Sequence, residues 1–233
     1  MSMLSSTSFS NVVSADALRA YVQRVYAWMT GGLLLTGITA FGISQSPAAL
    51  DAIFGTPLYW LVLLAPLGMV LFLSARIDTM KPSTAAGTFI AYALMNGISF
   101  SVLFVIYELG SIFQVFVIAA GMFASAAAYG YFTKRDLRSF GSFLFMGVIG
   151  VIIASVVNIF LQSSVLEFAV SLIGVGVFTG LTAYDMNRMK DQAIVMYAGE
   201  GLAQKRAIIG ALSLYLNFVN LLLFLLRLLG NRK

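Results

Sequence analysis

The chain has 233 residues, of which 60% are hydrophobic and 10% charged, whereas charged residues supply about a quarter of an ordinary soluble domain. It contains no cysteine and no histidine, which removes disulfides, thiol nucleophiles, imidazole bases and the commonest zinc ligands. The net charge of +5 comes from basic residues dispersed among short connections, so it reads as topology information and not as a nucleic-acid surface.

Residues 1–15 are Ser-rich and lack a basic region followed by an apolar run, so they do not read as a cleavable signal peptide, and residues 1–23 are expected to form a cytoplasmic segment. Seven charge-free runs follow: Val25–Leu50, Ala52–Ala75, Pro82–Tyr107, Leu109–Thr133, Ser139–Leu166, Phe168–Tyr184 and Ala207–Leu226. A spanning helix needs about 20 apolar residues, whereas an outer-membrane strand alternates over about ten. The expectation is an all-α integral membrane protein, a seven-transmembrane-helix bundle over residues 24–230. Its spans fall near 25–45, 57–75, 83–107, 110–132, 140–162, 165–186 and 207–228, with a tail at 231–233.

The connections alternate in charge. Arg19 and Arg24 precede the first span, whose start carries Tyr26 and Trp28 as interfacial anchors. The next connections hold Asp51; then Arg76 and Lys81; then Glu108; then Lys134, Arg135 and Arg138; then Glu167; then Arg188, Lys190, Lys205 and Arg206. Eleven basic residues thus fall on one side and none in the three opposite connections, which puts the N-terminus in the cytoplasm. Seven spans then leave Arg227, Arg232 and Lys233 outside, against the rule; either these side chains snorkel to the interface, or the last segment enters and returns. Small residues recur at packing intervals, as in Ala120, Ala124 and Ala128 of span four and Gly176 and Gly180 of span six. Asn187–Arg206 reads as the longest internal loop, with a turn at Gly199-Glu200-Gly201.

Polar residues inside the spans are the candidates for function. Span six is the shortest run, so a helix long enough to cross draws Asp185 to the membrane edge, where its charge needs compensation. Arg188 is the local partner and Arg76, at the end of span two, the tertiary one. Three stripes each keep one helical face: Tyr92, Asn96 and Ser99; Ser155, Asn158 and Gln162; and Ser213, Asn217 and Asn220. Asn217 lies roughly 16 Å past Arg206, about halfway through a bilayer core of roughly 30 Å. Each stripe taken singly reads as interhelical hydrogen bonding; several converging would make a polar path.

Tyr184-Asp185-Met186-Asn187-Arg188-Met189-Lys190, followed by Ala211-Leu212-Ser213-Leu214-Tyr215-Leu216-Asn217-Phe218-Val219-Asn220-Leu221, resembles the last two helices of the Bax-inhibitor (TMBIM) family. Thr133-Lys134-Arg135-Asp136-Leu137 and Asn96-Gly97-Ile98-Ser99 are similar to the same family's pattern. The resemblance implies a seven-helix bundle with the last helix central, and a passive, pH-sensitive calcium leak gated by two aspartates, with an Arg of span two able to pair with the first. Asp185 matches the first aspartate and Asn217 stands where the family usually has the second. That departure removes the like-charge repulsion by which two carboxylates share a proton, and a missing charge weakens calcium binding at Asp185 and Asn217.

The expectation is therefore an ion pathway through Asp185, Asn217, Asn220, Arg76 and Asn96, with Ser213, Ser99 and Asn158 as structural polar residues and pH regulation weakened. No cofactor is expected beyond calcium as a permeant ion. The alternative is an interaction or quality-control protein without ion flux, binding other membrane proteins within the lipid bilayer. Enzyme activity is not expected: an intramembrane aspartyl protease needs a second carboxylate on the next span, and no phosphate-binding loop is present. The charge pattern, short connections and lack of cysteine fit a bacterial inner membrane.

Overall fold

The computed structural model describes residues 3–192 and 199–233, with side chains from residue 16 and again outside 191–198. Among the described residues eight helices make up the order: α1 (Met3–Ser44), α2 (Pro47–Phe54), α3 (Leu58–Arg76), α4 (Pro82–Ile106), α5 (Leu109–Phe132), α6 (Arg138–Leu161), α7 (Ser164–Gln192) and α8 (Glu200–Leu229). All but α2 contain a stretch long and apolar enough to cross a membrane, which makes seven spans among the described residues. Two-thirds of the apolar window of α8 (67%) is buried, against at most 33% in any other span, so α8 is the span most enclosed by protein among the described residues.

Helix ends follow local chemistry and not the charge-free runs. The connection carrying Asp51 is itself helical, because the Ser46 side chain caps the Ala49 N–H and Pro47 starts α2. The expected long loop 187–206 is mostly helix: α7 runs on to Gln192 and α8 begins at Glu200, an acidic residue suited to a helix N-terminus. Gly199 immediately before it takes a positive φ of 104°, which a side chain would strain.

The chain forms two compact units, Met1–Phe104 with Met189–Leu212, and Val105–Arg188 with Ser213–Lys233. In the first, α1 and α4 approach closely at Gly97, where a Cβ would sit 2.6 Å from that of Thr39. The Thr36 hydroxyl donates to the Ala93 carbonyl at 2.8 Å, and Ser99 reaches α3 by donating to the Val62 carbonyl at 2.7 Å. The start of α8 is tied to α1 by the Tyr21 hydroxyl donating to the Arg206 carbonyl at 3.2 Å and by the Arg24–Glu200 ion pair at 3.1 Å. Arg206 pairs with Asp78 at 3.2 Å and Lys205 donates to the Asp78 carbonyl at 2.9 Å, which fixes the α3–α4 connection.

In the second unit, glycines let helices approach. A Cβ on Gly130 would fall on the Ala183 carbonyl; Gly141 lies under the Tyr184 ring, Gly147 against Val177, Gly180 against Leu144 and Gly174 against Phe224. The buried face of α5 runs through Val115, Ala119, Phe123, Ala126, Ala127 and Gly130, while Ala124 and Ala128 are exposed. The expected Ala120, Ala124 and Ala128 stripe is therefore offset from the packing face, and Gly176 has open space beside it where Gly180 is in contact. Small residues mark close approach only on the face that has a neighbour.

Residues after α8 pair with the connection before α5 and with the start of α7. Tyr107 and Arg232 form an antiparallel bridge, with the Glu108 N–H donating to the Asn231 carbonyl at 3.1 Å and the Lys233 N–H to the Ile106 carbonyl at 2.9 Å. Arg232 pairs with Glu167 at 3.0 Å and stands 6.0 Å from the centre of the Tyr107 ring. Thus α8, one unbroken helix, ends beside the connections that carry Glu108 and Glu167. Because both partners of the Arg232–Glu167 pair are partly exposed, Arg232→Gln should lower stability by less than about 1 kcal/mol, by a margin that shrinks with added salt in thermal unfolding.

Candidate functional site

Helices α7 and α8 run antiparallel in the second unit and meet along one seam. Asn217 lies opposite Asp185, and seven residues along each helix Phe224 stacks on Phe178 with ring centres 5.8 Å apart. A spacing of seven brings helix positions back to the same face, so the seam is regular. Gly174 accommodates the Phe224 ring, and Phe218 stands edge-on between Phe116 and Phe123, each at 5.5 Å. Aromatic side chains thereby fill the seam on one side of the polar pair.

The polar pair itself is short: Asn217 Nδ2 donates to Asp185 Oδ2 at 2.7 Å. Asn217 is buried and Asp185 partly so. Arg188, one turn further along α7, is the cation whose charge acts on the carboxylate. The amide presents its N–H, so a cation bound between Asp185 and Asn217 would require the amide to turn over and offer its oxygen. No group of three or more His, Cys, Asp or Glu side chains is arranged for a metal among the described residues.

The other candidates divide by unit. In the second unit, Asn220 Nδ2 donates to the Leu216 carbonyl one turn back at 2.8 Å, so its amide is engaged on its own helix. Asn158 ends α6: its Oδ1 accepts the Ser163 N–H at 3.0 Å, next to Gln162 in the left-handed conformation. Ser213 is half-buried on the α8 stripe, and Ser171 Oγ and Thr179 Oγ1 on α7 are buried without a hydrogen-bond partner. In the first unit, buried Asn96 donates to the Tyr92 carbonyl at 3.0 Å, and Ser99 bonds Val62 and Met95. Arg76 is exposed in the last turn of α3.

One residue of consequence escaped the sequence reading. Asn187 holds the α5–α6 connection against α7: its Oδ1 accepts the Leu137 N–H at 3.2 Å, and its Nδ2 donates to the Gly130 and Arg135 carbonyls, each at 3.3 Å. Leu137 is thereby buried against Ala126, Ala183 and Tyr184. The signal was present, since the Thr133–Leu137 and Tyr184–Lys190 segments both carried the family resemblance; that they touch was not visible. With three bonds lost at net values of about 1 kcal/mol each, Asn187→Ala should cost about 2–3 kcal/mol in thermal unfolding while leaving the helix content of the folded protein unchanged.

A family profile described as "Inhibitor of apoptosis-promoting Bax1" matches residues 18–233. The chain is similar to the inner membrane protein YbhL of Escherichia coli K12, 42% identical over 228 residues that cover 97% of each chain. It is also similar to the Rickettsia prowazekii protein RP147, 41% identical over 227 residues covering 97% of this chain and 96% of the relative. A Borreliella burgdorferi protein is 37% identical over 214 residues, covering 91% and 92%. With that profile spanning nearly the whole chain and seven span-length helices beneath it, the chain belongs to the Bax inhibitor-1 family of multi-span membrane proteins.

Proposed function

We propose that the protein is a passive cation leak of a bacterial inner membrane, permeable to calcium, in which the Asn217–Asp185 hydrogen bond latches α7 to α8. The observation that carries this reading is the 2.7 Å bond itself, a carboxylate and an amide facing each other within two membrane-crossing helices. A pair of carboxylates needs a shared proton to stay together, whereas an amide needs none, so this latch responds weakly to pH. The unpartnered Ser171 and Thr179 hydroxyls supply further oxygens on α7 that a hard cation can use. The name of YbhL and the charge asymmetry of the connections support an inner-membrane location with residues 231–233 on the side opposite Arg24.

Calcium entry into proteoliposomes, with protein amount and orientation measured, tests the reading. Flux in the wild type that Asp185→Asn changes by tenfold or more is the expected result; wild-type vesicles no leakier than empty ones would overturn it. A second reading, an interaction or quality-control protein without flux, is favoured by a specific set of bonds. Asn96, Ser99, Asn158 and Asn187 all bond backbone groups, as structural residues would.

A further inference from the structure

We propose that the first unit carries a binding site for a phospholipid with a primary ammonium headgroup, seated on the groove between α1 and α4. A cavity of about 440 Å³ opens there, within the roughly 300–1,000 Å³ of small-molecule pockets. Its α1 wall is formed by Arg24, Trp28, Gly31 and Leu35, and its α4 wall by Phe89 and Ile90. Trp28 and Phe89 meet edge-on with ring centres 5.8 Å apart, which closes one side. Gly31 has nothing within 4 Å of where a Cβ would be, so the groove is open at the point where the helix has no side chain. The wall from Arg24 to Leu35 extends about 16 Å at 1.5 Å per residue, about the depth of one leaflet of a roughly 30 Å core.

The occupant follows from the two ends. The inner end is apolar and lies in a membrane span, so it takes an acyl chain. The outer end presents an ion pair, with Arg24 40% and Glu200 91% exposed, which leaves both groups able to bind a second partner. A phosphate suits the Arg24 guanidinium, and an ammonium set a short distance beyond it suits the Glu200 carboxylate. A headgroup with a net negative charge gains the first contact and is repelled by the second. A quaternary ammonium satisfies the charge but has no N–H to donate. Charge complementarity therefore selects the primary ammonium. This site is independent of the leak reading, since it uses neither Asp185 nor Asn217.

Native mass spectrometry of the detergent-purified full chain, titrated with phosphatidylethanolamine, phosphatidylcholine and phosphatidylglycerol of matched acyl chains, tests the proposal. The wild type should bind phosphatidylethanolamine about fivefold more tightly than the other two, the upper range for an exposed charge contact. Glu200→Gln should abolish that preference, Arg24→Gln should weaken all three lipids, and Gly31→Leu should exclude them by filling the groove without a backbone clash. Equal binding of the three lipids by the wild type would overturn the headgroup assignment. Lipid binding unchanged in a folded Gly31→Leu protein, with helix content and melting as in the wild type, would overturn the site.

Discussion

Asn217→Asp is expected to make the stability of the protein fall as pH rises. Two ionised carboxylates at the 2.7 Å separation now spanned by the amide would repel by about 6 kcal/mol at an effective dielectric of about 20. They remain together only while they hold one proton between them. At low pH the variant keeps a hydrogen bond between α7 and α8 and melts close to the wild type. As the proton leaves, the charged form of the pair is disfavoured in the folded state, so stability present at low pH is lost at higher pH. The wild type should show a much smaller slope, since Asn217 brings no second charge. Melting in detergent across pH for both proteins checks this, and parallel curves would mean that residue 217 is not held against Asp185. The same variant in proteoliposomes separates the two functional readings: a leak that acquires pH dependence together with the loss of stability fits a latch, and unchanged flux fits a purely structural bond.

The second large effect is expected at Gly130. A side chain there would drive its Cβ into the Ala183 carbonyl, and within 3.0 Å of the Ala183 Cα. Both surfaces are backbone, so no rotamer change relieves the contact. Overpacking ordinarily costs about 1–3 kcal/mol, and with no flexible partner Gly130→Leu should lie at or above the top of that range. The damage does not stop at one contact. Ala183 precedes Tyr184 and Asp185, and the Gly130 carbonyl accepts from Asn187, so separating α5 from α7 disturbs the loop clamp and the polar pair together. Gly121→Ala on the same helix is the matched control, because its Cβ would meet nothing within 4 Å, and it should change stability by no more than about 1 kcal/mol. Thermal unfolding followed by helix signal distinguishes them; equal melting of the two variants would refute the close approach.

The seven spans were legible because charged residues are costly in hydrocarbon and so mark its limits in the sequence. The helix ends were not, because a helix satisfies its own backbone on both sides of the membrane surface and continues until a local stop such as Gln162, which is left-handed after α6. Packing faces were hidden for a different reason. In lipid both the buried and the exposed sides of a span are apolar, so Ala124 and Ala128, which face outward, look the same in sequence as Ala119 and Ala126, which do not. The Asp185 and Asn217 positions were legible because a polar group inside a span stands out. What each polar group bonds to was not: Asn158 and Asn187 proved to be loop and cap residues, and spacing along one helix carries no information about a backbone N–H fifty residues away.

The division of α8 has a bearing on how the protein is made. Its residues up to Leu212 complete one compact unit and those from Ser213 complete the other, and it is the most buried span. It is also the last of the described helices to emerge from a ribosome. Domains usually fold in the order of synthesis, but here neither unit can close while the chain is still being extended through residue 200 and beyond. The earlier spans must enter the membrane with their faces for α8 uncovered and wait. A chain released early would leave the α8-facing surface of each unit uncovered, a surface that membrane proteases and chaperones should recognise.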